Sequence, residues 1–176
     1  MFKRRRWARI KGHEDRLYGF AFALTHDAIL AEDLVQETLT RALGAVRVPQ
    51  DAPAVRAWLF RILRNAVIDL KRRRQEPLLD DRPGDLPPSA VDWGFADRVI
   101  NQVTVRTAFV RLTHTQQEVI ALVDVAGMTY AEAASTLDIP VGTVMSRLSR
   151  ARTALAGEIE RGNVRPLRRQ GQGPRP

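Results

Sequence analysis

The sequence predicts an all-α fold: two small helical domains joined by a flexible acidic linker, the second containing a helix-turn-helix. Three observations predict it. Apolar residues recur at steps of three and four in two separate blocks. No stretch alternates apolar and polar residues at the period of a strand. The segment between the blocks loses all periodicity and fills with proline and aspartate. The expected division is a first domain over 1–75, a linker over 76–97, a second domain over 98–160 and a basic, disordered tail over 161–176.

The first block begins with Leu17, Phe20, Ala21 and Leu24 at helical spacing. A second helix places Leu34, Val35, Thr38, Leu39 and Ala42 on one side. Gly44 to Pro53 breaks the pattern with two prolines. A long helix follows over about Ala54 to Arg73. Its apolar stripe is Val55, Trp58, Leu59, Ile62, Leu63, Ala66, Val67 and Leu70. Its outer face carries Arg56, Arg61, Arg64, Asn65, Asp69, Lys71, Arg72 and Arg73. The linker holds four prolines, and six acidic residues against the single Arg82.

In the second block, Thr115-Gln-Gln-Glu118 and Thr129-Tyr-Ala-Glu132 both fit the capping box, where a hydroxyl and a carboxylate satisfy each other's exposed N–H groups. A first helix over Thr129 to Leu137, a turn at Asp138 to Val141 and a second helix from about Gly142 form the helix-turn-helix. Ala133 and Ala134 supply the small residues a close crossing needs. Asp138 tolerates the positive φ of the turn, though less well than glycine. Pro140 suits a helix start. Val144, Leu148, Ala151 and Leu155 return to the core. The opposite face offers Thr143, Met145, Ser146, Ser149 and Arg150, with Arg147 and Arg152 nearby. Hydroxyl and guanidinium groups match base edges and phosphates in a major groove. The alternative is a two-helix hairpin with a solvated basic face.

Composition narrows the function classes. The net charge of +8 favours a polyanionic partner, of which nucleic acid is the commonest. The chain has no cysteine, so disulfides and thiolate metal sites are excluded. His13, His26 and His114 lack ligand spacing, and neither a metal nor a cofactor is expected. No apolar run reaches membrane-spanning length, and the basic start lacks the apolar core of a secretory signal. A cytoplasmic protein is expected, without membrane insertion. No acid pair, nucleophile constellation or phosphate loop suggests an enzyme.

The run from Met128 to Arg152, with its Val-Gly-Thr-Val-x-Ser-Arg-Leu-x-Arg-Ala-Arg core, resembles region 4 of the extracytoplasmic-function sigma factors. Ala31-Glu-Asp-Leu-Val-Gln-Glu-Thr38 resembles region 2.2 of the same family, and Ala57 to Arg74 resembles regions 2.3 and 2.4. The resemblance covers about 13–160. It implies an alternative sigma factor that binds bacterial RNA polymerase core, recognises promoter DNA and opens it. Glu32, Asp33, Gln36, Glu37 and Arg41 would then meet the β′ clamp helices. Charge alone reads that cluster as an ordinary solvated face. Arg61, Arg64, Asn65, Asp69, Arg72 and Arg73 would bind the −10 element, with Arg64, Asn65 and Asp69 at a flipped base. Thr143, Met145, Ser146, Arg147, Ser149, Arg150 and Arg152 would bind the −35 element. The β flap and an anti-sigma factor are further partners the resemblance implies. The sequence departs from the family in three places: Leu112 to Glu118 lacks the usual proline and Arg-Glu pair, Met145 replaces a frequent Lys or Arg, and the basic tail is long. The competing expectation is a stand-alone helix-turn-helix regulator. The first block shows neither a heptad seam nor a ligand-cavity signature for it. A sigma-like adaptor that sequesters an anti-sigma protein should have lost the arginines at 147, 150 and 152.

Overall fold

The computed structural model describes Trp7, residues 10–75 and residues 104–163. These residues form helices and turns, with no strand among them. The expected linker and the tail beyond residue 163 lie outside the described residues.

Helix α1 (Glu14–Thr25) opens on Glu14 and Asp15, whose negative charge suits a helix N-terminus. It ends at His26, which turns left-handed (φ 57°) and donates its N–H to the Phe22 carbonyl at 2.8 Å. The next residue, Asp27, caps α2 (Ala28–Gly44) by accepting from the N–H groups of Ile29 and Leu30. Helix α2 buries Ala31, Leu34, Val35, Thr38, Leu39 and Ala42. Thr38 is tolerated there because its hydroxyl donates back to the Leu34 carbonyl at 2.8 Å.

Helix α3 (Ala52–Gln75) is the longest among the described residues, 24 residues. Asp51 caps it through the Ala54 N–H at 3.0 Å, and Pro53 sits in the first turn, where its missing N–H costs nothing. The expected stripe is inside: Val55, Leu59, Leu63, Ala66 and Val67 are buried, and Trp58, Ile62 and Leu70 are half-buried against them. Ala57 and Phe60, outside that stripe, are buried too. Phe60 meets Phe20 edge to face with centroids 5.5 Å apart.

In the second block, residues 104–110 are helical. Helix α4 (His114–Ile120) runs on into a π-helical turn (Ala121–Val125). Its capping box is Thr113 with Gln116, which corrects the expected pairing of Thr115 with Glu118. Both quartets fit the pattern. Only the earlier one lies at the chain's turn into the helix, and Glu118 is left to face the first block. Gly127 (φ 65°) closes this element, a left-handed position that favours glycine. Helix α5 (Tyr130–Leu137) has the expected capping box of Thr129 and Glu132. Asp138 takes the left-handed turn (φ 56°), and Thr143 and Val144 donate to the Pro140 carbonyl as α6 (Val141–Asn163) begins. Helix continues to Asn163, so the expected tail begins as helix.

One continuous apolar cluster runs through both blocks. Helix α3 packs on α5, and α1 packs on the π turn. Gly19 permits the second contact: a Cβ there would stand 3.3 Å from Val125 Cγ1. Thr136 Oγ1 donates to the Ala57 carbonyl at 3.4 Å between α5 and α3. The long helix therefore has two inward faces, and the single outer face expected for it is corrected. Arg56, Arg64 and Lys71 are half-buried between the blocks rather than fully solvated.

Candidate nucleic-acid interface

Helix α6 is set by Val144, Leu148 and Ala151, which are 0%, 2% and 0% exposed. A rotation of about 100° per residue then turns Met145, Ser146, Ser149 and Arg150 outward. Met145 is 52% exposed on this face. Thr143 and Arg147 flank this face and are half-buried. Ser146 donates to the Thr143 carbonyl at 3.1 Å, and Arg150 Nε donates to the Ser146 carbonyl at 3.2 Å.

Arg147 and Arg150 share a cavity of about 380 Å³ with Thr113, Thr115 and Gln116. Sequence reasoning missed these three as neighbours of the outward face. Their hydroxyl–amide cluster was a signal, but its placement depends on how α4 crosses α6. Two guanidinium groups beside hydroxyl and amide groups in a concavity can hold a phosphate or a base edge.

Arg152 differs from the other arginines. Its Nη2 and Nε reach Asp124 Oδ1 and Oδ2 at 2.5 and 3.1 Å. This hydrogen bond and charge hold the guanidinium more firmly protonated than usual. Asp124 belongs to the π turn, so the pair ties α6 to that turn.

On α2, Glu32, Asp33, Gln36, Glu37 and Arg41 are all exposed along one side. Arg41 Nη2 lies 2.6 Å from Glu37 Oε1. The acidic side and the outward face of α6 are therefore separate surfaces on separate helices.

The expected −10 residues divide into two groups. Asn65, Asp69, Arg72 and Arg73 are exposed along α3. Asp69 and Arg73 share a small cleft with Glu37 and Arg41 of α2. Arg61 and Arg64 instead reach the second block. Arg61 Nη2 donates to the Ser135 carbonyl. Arg64 Nε and Nη2 donate to the Glu118 carboxylate at 2.7 and 3.3 Å.

All three histidines lie at or near the junction of the blocks. His13 is held below its ordinary pKa of 6.5 by burial, then by Arg56 and Arg16, with Glu132 opposing. His26 is lowered by burial, Arg106 and Lys71. His114 is lowered by burial, Lys71 and Arg64, with Glu118 opposing. Burial also lowers Lys71, against the pull of Glu118. Among the described residues no cluster could hold a metal ion, and no helix is long and apolar enough to cross a membrane.

Comparison with known proteins accounts for both halves of this arrangement. Residues 10–76 match the family Sigma-70 region 2, and residues 102–155 match Sigma-70, region 4. The ECF RNA polymerase sigma factor EcfG of Rhodopseudomonas palustris is 36% identical over 141 residues, covering 80% of this chain and 77% of that protein. The probable RNA polymerase sigma-C factor of Mycobacterium bovis is 35% identical over 157 residues, covering 86% and 81%. Among solved structures, the sigma factor RpoE in complex with the anti-sigma factor NepR, from Bartonella quintana, superposes with a TM-score of 0.62 at 27% identity, covering 90% of this chain and 96% of that one. CnrH in complex with the cytosolic domain of CnrY gives 0.63 at 26% identity, covering 86% and 85%. With both segments matched in order, and single relatives aligned along most of their own length, the chain belongs to the extracytoplasmic-function (ECF) sigma factors of RNA polymerase.

Proposed function

We propose that this sigma factor acts through two working units, 1–75 and 98–160, and that each carries one recognition task. The acidic side of α2 binds the β′ clamp helices of polymerase core through Glu32, Asp33, Gln36, Glu37 and Arg41. Helix α3 binds and opens the −10 element through Arg61, Arg64, Asn65, Asp69, Arg72 and Arg73. Helix α6 reads the −35 element in the major groove through Thr143, Met145, Ser146, Arg147, Ser149 and Arg150. Arg152 orients α6 through Asp124 and reaches a phosphate only by exchanging that carboxylate for it. The β flap contacts the second unit, and an anti-sigma factor holds the chain inactive. The protein works in the cytoplasm and catalyses no reaction of its own.

The observation that carries this reading is the separation of the two exposed faces. Carboxylates and an amide on α2 are poor DNA ligands but suit a basic protein surface. Hydroxyl and guanidinium groups on α6 suit a major groove and phosphates. A stand-alone DNA-binding protein needs only the second face. The test is reconstitution with core polymerase and sequencing of transcript starts. Initiation from a defined promoter set that depends on the added chain is the expected result. DNA binding by the chain with no association to core would overturn it.

A further inference from the structure

An apolar cavity of about 630 Å³ opens between α1, the helix over 104–110, the π turn and α6. Phe22, Ala23, Phe109, Ile120, Val125 and Leu155 form most of its wall. Its size and lining are those of a small-molecule site, and the seams between packed helices are where such sites occur. It shares no residue with the faces assigned to polymerase or DNA.

Arg106 also lines the cavity. Its guanidinium lies 5.0 Å over the Phe22 ring, and its Nη2 donates to the His26 carbonyl at 3.1 Å. Its Nε is buried and has no hydrogen-bond partner. No carboxylate pairs with it among the described residues. Asp124, the acid of this cavity, is held by Arg152 through both oxygens. A buried donor left unpaired is costly, and few persist in a folded chain. Water is a poor remedy here, because a buried water needs several polar partners and this wall offers few. Asp124 and Val125 come from the π turn, an irregularity that recurs at functional sites.

We propose that this cavity binds a single-chain carboxylate, a fatty acid of medium length, with its headgroup at Arg106 and its chain along the apolar wall. One guanidinium matches one negative charge. A phosphate dianion would carry a second, uncompensated charge into apolar surroundings. A neutral chain would leave the guanidinium unmatched. Helix α1 belongs to the first block and the other walls to the second, so a bound chain joins the two.

The experiment is isothermal titration calorimetry of the full chain with hexanoate, octanoate, decanoate and dodecanoate, each below its micelle concentration. Affinity should rise about fourfold per methylene, the factor for burying one, until the cavity is filled. Dodecanol and dodecyltrimethylammonium have the same chain without the negative charge. Each should bind about tenfold more weakly than dodecanoate, or worse. Arg106→Gln should lose about the same factor on dodecanoate and bind dodecanol as before. Arg16→Gln removes an exposed cation from α1 and should change dodecanoate affinity by less than about twofold. Ala23→Phe fills the cavity and should abolish binding. Circular dichroism checks the folding of each variant, and the headgroup series decides on the unaltered chain if a variant fails to fold. No binding of dodecanoate, equal affinity for dodecanol, or equal losses in Arg16→Gln and Arg106→Gln overturns the proposal. So does a chain that is dimeric by light scattering and that Ala23→Phe makes monomeric, since a second copy then occupies the cavity.

Discussion

Arg150 and Arg152 stand two residues apart on α6 but have different partners, so opposite behaviour on DNA is expected of them. Arg150 is exposed, and its side chain donates to the Ser146 carbonyl through Nε, which leaves its terminal amines as donors among the described residues. Arg152 is bound through both Nη2 and Nε to Asp124. A fork of arginine to guanine contributes about 1–3 kcal/mol of discrimination, or about fivefold to 150-fold. Arg150→Ala should therefore weaken the preferred −35 duplex by about that factor and a scrambled duplex much less. Arg152 is already neutralised, so Arg152→Ala should leave the slope of log affinity against log salt nearly unchanged. Asp124→Asn should release the guanidinium and remove a charge that repels phosphate. The slope should then steepen by about 0.9, the value for one phosphate contact on duplex DNA. The assay is fluorescence anisotropy of the full chain with preferred and scrambled −35 duplexes across a salt series. A loss of about one unit of slope in Arg152→Ala would show that Arg152 abandons Asp124 for a phosphate on binding. Equal losses on both duplexes in Arg150→Ala would refute base reading and leave Ser146, Ser149 or the shape of the element to supply it.

Three further outcomes are expected. Asp33→Arg with Gln36→Arg, on the exposed side of α2, should leave the thermal midpoint and duplex binding unchanged and abolish co-purification with polymerase core. Asp138→Gly should raise stability by up to about 1 kcal/mol, because glycine accepts the left-handed φ of 56° that an L side chain resists; a lower denaturation midpoint would contradict this. The thermal midpoint should fall as pH drops from 7.5 to 5.5. His13, His26 and His114 are all held below 6.5 in the folded chain, so the unfolded chain takes up more protons. Their contribution is intact above pH 6.5 and is lost as pH falls through that value towards the folded pKa values. His114→Gln should flatten the profile, and an unaltered profile would remove His114 from that account.

The single faces of the helices were legible from spacing alone. Leu34, Val35, Thr38, Leu39 and Ala42 are all inside, as are Val144, Leu148 and Ala151, because a helix on a core shows its period directly. Asp138 was legible because few residues suit a left-handed turn between two helices. The second inward face of α3 was not legible. Phe60 and Ala57 look like interruptions of a polar side until α1 and α5 cover them. Glu132 was recognisable as a capping residue, but its ion pair spans 76 positions to Arg56, and no local pattern encodes that. The π turn also left no trace in the sequence. It carries Asp124, which reaches Arg152, and Val125, which meets Gly19, so both contacts were hidden with it.

The chemistry of the junction explains why arginine stands on this side of α3. A carboxylate buried without a counterion is costly by several kcal/mol, so Glu118 and Glu132 stay buried only while Arg64 and Arg56 face them. A guanidinium is more weakly hydrated than an ammonium and presents a rigid fork, so it loses less on leaving water and fixes the orientation of the carboxylate it meets. Lysine at 56 or 64 would neutralise the same charge as a point charge, without that fork. The two ion pairs therefore let the continuous apolar cluster close over carboxylates that it could not otherwise enclose.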